Sequence, residues 1–481
     1  MTAEPAHLVT APPGQQLKRE FNLWSAFAFA FAFISPIVAL YGIFGLAYST
    51  AGPAFWWNFL IVFAGQLLVA LVFAELVSRW PIEGSIFQWS RRLLGQGFGW
   101  AAGWVYMWTL VVAMSSVSVF AAGFVGNVFG WDLSPGQQAF VAFVILLLGT
   151  AANISGRLVL KILMTGSIIA EIVGSVGLGA WLLLFHRDNP VSVLTDGFST
   201  AGFLGLSGPF LTTMAFVGWS FVGFESAGSI AEEVQQPRRN LPKAVIFSIA
   251  FIAVIVMFSA LSIILAIPPD IAENSADPVY DTLRFQLCAG PAKIAEVLFT
   301  VGFLASFLAL QTSASRLIWS YGRDQALPAP RLVARLTAGQ KQPVVALLIA
   351  TVIGSVIILA SRLAPSFYTL LLNFTSGGFY LAFLFPLVGN LVVRGRGGWR
   401  PGQFDLGRGG RVLSVVALLW ALFEFVNIAW PRNFYPDQPI LNWSIVLAVL
   451  VLAVVGGAIY ASVRSRITTS DVYDADDEVV A

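Results

Sequence analysis

The chain has 481 residues, of which 57% are apolar and only 11% charged, whereas soluble domains carry roughly 25% charged residues. Its 40 Phe and 16 Trp leave too little polar surface for a soluble protein of this length. A net charge of +2 gives no basic excess suited to nucleic acid, and a single cysteine, Cys288, with His7 and His186 as the two histidines, excludes an internal disulfide and a His/Cys metal cluster.

The apolar runs far exceed the alternating strands of about ten residues that build outer-membrane barrels. They match the roughly 20 residues a helix needs to cross a bilayer core of about 30 Å. A polar tail, 1–20, ends in Lys18-Arg19-Glu20, and the run behind it is too long for a signal peptide, so it reads as a retained first helix. Twelve segments follow, at 22–47, 54–78, 98–127, 137–154, 160–185, 208–231, 244–267, 292–320, 343–361, 366–393, 412–430 and 441–463. The predicted organisation is a first repeat over 21–200 (segments 1–5), a second over 201–395 (segments 6–10), a cytoplasmic loop at 396–411, two further helices within 412–463 and an acidic tail at 464–481. The longest outer excursion, Pro268 to Pro291, mixes charges with apolar residues and predicts a short covering helix.

Lys and Arg fix the orientation, because they stay on the cytoplasmic side during insertion. With a cytoplasmic N-terminus, 21 of the 27 fall in inner loops and 5 in outer ones (Arg187, Arg284, Lys293, Arg362 and Arg432), with Arg316 inside a span. Both termini are thereby expected on the cytoplasmic side of a cell membrane, plasma or inner.

Two segments are interrupted. Segment 1 reads FAFAFAFISPIVALYGIFG, with Ser35-Pro36 at its middle, where proline removes a backbone donor and clashes with the preceding turn. Segment 6 reads GPFLTTMAFVGWSFVGFESAGSIAEE, with Gly218, Gly223 and Gly228 around Glu225. Non-helical backbone at membrane depth is tolerated where it lines a cavity or ligand. Two breaks five segments apart fit an inverted repeat, the pattern of transporter sites. Half-helix ends present N–H groups to a carboxylate and carbonyls to an ammonium, which suits an amino acid.

The intramembrane acids are the candidates for charge handling, because an ionised carboxylate there must pair, face water or hold its proton. Glu225 either attracts a substrate ammonium, carries a coupled proton or serves the helix break. Glu171, in GSIIAEIVGSVG of segment 5, either exchanges a proton during bundle movement or is a permanent hydrogen-bond donor to segment 1. Glu75, Arg79 and Arg316 read as structural ion pairs, Glu296 and Glu424 receive no role, and the Thr312 and Ser313 hydroxyls are weak sodium candidates. Trp219, Phe221 and Phe224 form a candidate aromatic wall. No G-x-x-x-x-G-K-S/T motif supports ATP drive, and no H-E-x-x-H supports an intramembrane enzyme.

Three runs carry a resemblance: AELVSRWPIEGSIFQWSRRLLG (Ala74 to Gly95), WSFVGFESAGSIAEEVQQPRRNLPKAV (Trp219 to Val245) and QTSASRLIWSYGRDQALP (Gln311 to Pro328). They resemble the signatures of the amino acid–polyamine–organocation (APC) permeases, from about Asn22 to Arg466, and FDLGRGG (Phe404 to Gly410) resembles the amino acid/choline branch. The resemblance implies an all-α integral membrane protein of 12 transmembrane helices, with a 5+5 inverted-repeat core of the leucine-transporter type, broken helices 1 and 6, and two C-terminal helices. It implies a substrate site between segments 1, 3, 6 and 8, with Ser35, Pro36, Ile37, Val38, Trp219, Phe224 and Glu225 as contacts. Ser-Pro here replaces the family's Gly-rich turn. The expected activity is proton-coupled symport of an amino acid or related amine, with Glu225 and Glu171 as proton groups and sodium less favoured. Exchange of cationic amino acids or polyamines is the alternative, and a channel or nutrient receptor the non-transport one. No cofactor is implied.

Overall fold

The computed structural model describes residues 19–275, 277–338, 341–360, 367–433 and 436–468. The N-terminal tail with His7 and Lys18, Arg362, and the acids Asp471, Asp474, Asp476, Asp477 and Glu478 lie outside the described residues.

The apolar stretches fold as helices whose ends fall where the sequence supplies caps, prolines and glycines. In chain order these are α1 (Leu23–Ile34), α2 (Pro36–Tyr41), α3 (Phe44–Ala51), α4 (Trp56–Arg79), α5 (Ile86–Leu94), α6 (Gln96–Phe129) and α7 (Pro135–Ser155). Next come α8 (Arg157–Glu171), α9 (Leu178–Phe185), α10 (Pro209–Val217), α11 (Pro237–Ala266), α12 (Pro269–Asn274), α13 (Pro278–Leu287) and α14 (Ala289–Arg323). The last are α15 (Pro330–Val333), α16 (Val344–Ala360), α17 (Phe367–Gly395), α18 (Gly410–Ala429) and α19 (Ser444–Val463).

The start of α7 shows the local logic. The Ser134 hydroxyl accepts from the Gln137 N–H, the Gln137 side chain accepts from the Ser134 N–H at 2.9 Å, and Pro135 occupies the first helical position, where a missing N–H costs nothing.

Among the described residues, ten helices are long and apolar enough to cross a membrane. They coincide with ten of the twelve expected segments. Val344–Ala360 is apolar but shorter, at 17 residues. The stretch expected as a single span at 208–231 contains no continuous helix: after α10 it runs as two 3-10 pieces, Gly218–Phe221 and Phe224–Glu233, separated by extended backbone at Val222. The excursion at 268–291 folds as two short helices, α12 and α13, rather than one.

Helix α6 is buried along most of its length and lies against α14, α17, α5 and α7. Close approach there depends on small residues, the usual device where lipid provides no hydrophobic drive between helices. At Gly149 on α7, for example, a methyl group would sit 2.0 Å from the Phe307 ring on α14. Helix α19 is the least enclosed of the long helices, and both α18 and α19 carry many exposed apolar side chains. That exposure suits contact with lipid.

Candidate functional site

Both interruptions expected from the sequence are present, and they meet. Helix α1 stops at Ile34, and Ser35 takes a positive φ of 51°. Pro36 then opens α2 with its fixed, helix-compatible φ. The Ser35 hydroxyl has two tasks. It accepts the Val38 N–H at 3.2 Å, capping α2, and it donates to Glu171 Oε2 at 3.0 Å. Carbonyls loosened at the break are satisfied from other helices: Phe33 accepts from the Ser306 hydroxyl of α14 at 2.8 Å, and Ala39 from the Ser220 hydroxyl of segment 6 at 2.5 Å.

Glu171 is the last residue of α8, where the helix widens into a π-helical stretch, Ile172–Gly177. Such bulges in α-helices often occur at functional positions. Its carboxylate is fully buried, and Oε1 has no hydrogen-bond partner among the described residues.

In segment 6 the break is held by Glu225. Its Oε2 accepts the Gly223 N–H at 3.1 Å, and its Oε1 accepts the Tyr106 hydroxyl of α6 at 2.9 Å. Gly223 has φ 104°, a conformation open to glycine, and a Cβ there would lie 2.4 Å from the Phe33 ring and 3.3 Å from Ile34. The segment 6 break therefore presses directly on the end of α1.

The residues nominated from sequence divide into groups. Ser35 and Glu171 are in contact, and Ile37 packs against Gly302 and Gly174, where built methyl groups would lie 3.0 and 3.7 Å from it. Trp219 is buried beside Phe120 of α6, with ring centroids 6.2 Å apart, and Phe120 in turn faces Phe303. Phe224 points elsewhere: its ring lies 5.9 Å from Phe73 and 5.5 Å from Phe383, in the aromatic packing between α4 and α17. Phe221 likewise packs on Phe59 and Phe63. Sequence reasoning missed Tyr106, Ser220 and Ser306. The available signal was a hydroxyl inside an apolar span, but such groups bond to their own helix more often than to another.

Phe120 also belongs to the wall of a cavity of about 500 Å³. Tyr41, Phe124, Asn127, Asp277 and Glu296 share that wall, at the end the charge count assigns to the outside. Asn127 donates to Glu296 at 3.3 Å. Burial pushes the Asp277 carboxyl above the usual carboxylate range, with nearby Asp281 adding to the rise and the Tyr280 N–H opposing it.

The opposite end is closed by buried and partly buried ion pairs. Arg316 Nε meets Glu233 at 3.1 Å, Arg323 meets Glu232 at 2.8 Å, and Arg91 meets Asp324 at 2.6 Å, where Gln88 also donates at 2.7 Å. The backbone of Phe21 pairs with Glu233 and Gln235 like a short strand, tying the entry of α1 to the end of segment 6. Nearby, Glu75 pairs with Arg394. Thr312, considered for sodium, instead bonds to the Leu308 carbonyl and to Asn153.

Comparison with known proteins bears on this architecture. The model of a family described as amino acid permease matches residues 21–455. An uncharacterized amino-acid permease of Schizosaccharomyces pombe is 22% identical over 454 residues, covering 91% of this chain and 82% of its own. A branched-chain amino acid permease of Lactococcus lactis is 26% identical over 373 residues, 72% of this chain and 76% of its own, and a methylthioribose transporter of Bacillus subtilis is 29% identical over 313 residues, 62% and 65%. With the family model spanning nearly all of the described helices, the chain belongs to the amino acid permeases of the APC superfamily and is a multi-pass membrane transporter.

Proposed function

We propose that this chain is a secondary active transporter that carries an amino acid or closely related amine across the plasma or inner membrane by alternating access, driven by protons in symport. In this reading it has 12 spans, two inverted repeats at 21–200 and 201–395, and both termini in the cytoplasm. The substrate sits at the paired breaks, with Ser35, Pro36, Ile37, Val38, Trp219 and Glu225 around it. Phe224 was nominated alongside them, and its packing on Phe73 and Phe383 gives it a supporting place behind segment 6.

The observation that carries the reading is the Ser35–Glu171 hydrogen bond. It joins a buried acid on one helix to the break in another, so the carboxyl's protonation and the geometry of the break are linked. A ligand or proton that prefers one arrangement shifts the population toward it. Glu225 is the second proton candidate, through its bonds to Tyr106 and Gly223. The open cavity at one end and the ion pairs at the other fit one state of an alternating-access cycle. Relatives named for branched-chain amino acids make neutral, apolar amino acids the first substrates to test.

Radiolabelled uptake into proteoliposomes, with and without an inward proton gradient, tests this in wild type, Glu171→Gln and Glu225→Gln. The expected result is saturable uptake of at least one amino acid, raised by the gradient in wild type and indifferent to it in one of the variants. Exchange of preloaded substrate with no gradient response in any of the three proteins would overturn symport. Exchange of cationic amino acids or polyamines is the second reading, and the acids Asp277 and Glu296 on the cavity wall favour it. Competition by arginine or putrescine against leucine separates the two.

A further inference from the structure

Behind segment 6, on the side away from the α1 break, lies a further buried acid that the proposed transport cycle does not use. Glu424 of α18 is fully buried. A Cβ built on Gly218, the residue before Trp219, would lie 2.9 Å from Glu424 Oε1 and 3.5 Å from the Tyr380 hydroxyl of α17. The absence of a side chain at Gly218 leaves the carboxyl room to lie directly against this part of segment 6. Gln66 of α4 approaches the same Tyr380 hydroxyl. Glu424 Oε1, the Tyr380 hydroxyl and both amide atoms of Gln66 are buried without hydrogen-bond partners among the described residues. Buried polar atoms left in this condition call for an explanation.

The surroundings give the carboxyl little to pair with. Among the described residues its one hydrogen-bond donor is Asn427, at a long 3.3 Å. Arg432 is the positive charge in range, but its guanidinium is committed to the Asn427 side chain and carbonyl and to the Leu206 carbonyl. Tyr380 is the other titratable group against it, while Gln66 and Gly218 bring no charge. An anion so placed at membrane depth is costly, and a proton is the ligand that removes the cost. Asn427 also donates to the Leu211 carbonyl of α10 at 3.0 Å, so the same turn of α18 grips the other half of segment 6.

We infer that Glu424, with Tyr380 and Gln66, forms a proton-binding site at the back of segment 6, loaded while Gly218 covers the carboxyl and unloaded when the 218–223 stretch moves away. The step is a simple proton transfer: the carboxylic O–H bond breaks, its electron pair stays on the oxygen, and the proton passes to water. This rests on the transport reading above but not on Glu171 or Glu225.

Substrate exchange in proteoliposomes at equal pH on both sides, scanned through neutrality, reads the site without any gradient. Infrared difference spectra of the protein in lipid nanodiscs read the carboxyl directly. Wild type is expected to change exchange rate severalfold across the scan and to show a carboxylic C=O band at neutral pH. Glu424→Gln should lose both the pH dependence and that band. Gly218→Ala, which drives a methyl group against Oε1, should shift the pH midpoint. A wild-type pH profile retained in Glu424→Gln, or a neutral-pH spectrum from which that variant removes no carboxylic band, overturns the inference. If no amino acid is exchanged at all, the transport reading fails, and the infrared band alone decides for or against the proton site.

Discussion

Ser35 and Glu171 are 136 residues apart in the chain, and the hydroxyl of one donates to the carboxylate of the other at 3.0 Å. The same hydroxyl caps α2, so one small side chain both starts a half-helix and bonds one oxygen of a buried acid. Helix geometry and the candidate proton chemistry are thus tied to a single oxygen.

Ser35→Ala removes both bonds. Loss of the cap costs about 1 kcal/mol, and leaving a buried acceptor without its donor costs about 1–3 kcal/mol. The variant should melt at a lower temperature in detergent and lose gradient stimulation more than exchange. Ser35→Thr keeps the hydroxyl but places a β-branched residue at a φ of 51°, so it should recover only part of both.

Gly223→Ala tests the contact between the two breaks. Positive φ costs an L-residue roughly 1–2 kcal/mol, and the added methyl group meets Phe33 at 2.4 Å. Gly52 supplies the control: its φ is also positive, at 59°, but a methyl group there touches nothing within 4 Å. Uptake should therefore fall far more in Gly223→Ala than in Gly52→Ala, at equal amounts of folded protein judged by size-exclusion chromatography.

The Arg316–Glu233 pair joins α14 to the end of segment 6 with both side chains buried. Removing one partner of such a pair typically costs about 3–5 kcal/mol, because the other charge stays in a poorly solvated site. Arg316→Ala should lower the melting temperature and raise labelling of cysteines introduced at this end. The double exchange Arg316→Glu with Glu233→Arg should restore part of the stability, which a double-mutant cycle measures.

Glu83, in the turn between α4 and α5, is fully buried with both carboxylate oxygens unpartnered among the described residues. Burial holds its carboxyl well above the usual range, and Glu233 and Glu232 add to the rise while Arg316 and Arg323 oppose it. A raised value means the folded, closed end binds the proton more tightly than the unfolded chain. Its contribution to stability is complete at acid pH, below the ordinary glutamate range, and is lost as pH rises toward the folded value. Thermal melts against pH should show wild type losing stability on alkalinisation, with Glu83→Gln flatter over the same window.

The sequence by itself determined where most of the long apolar helices form and where two of them fail. Ten long helices lie on ten of the expected segments because length and apolarity are local properties. The break at Ser35-Pro36 was legible for the same reason, since proline's missing donor and Ser35's capping hydroxyl act within a few residues. The glycines around Glu225 marked the second break, although not that 218–233 would be 3-10 and extended rather than a kinked α-helix. Tertiary structure alone decided the partners. Phe224 faces the α4–α17 packing, Tyr106 of a distant helix joins Gly223 in bonding Glu225, and Gly218 lies against Glu424 some two hundred residues away. Periodicity tells which side of a helix is apolar. In a protein apolar on nearly every side, it carries almost no information about which helix each side will meet.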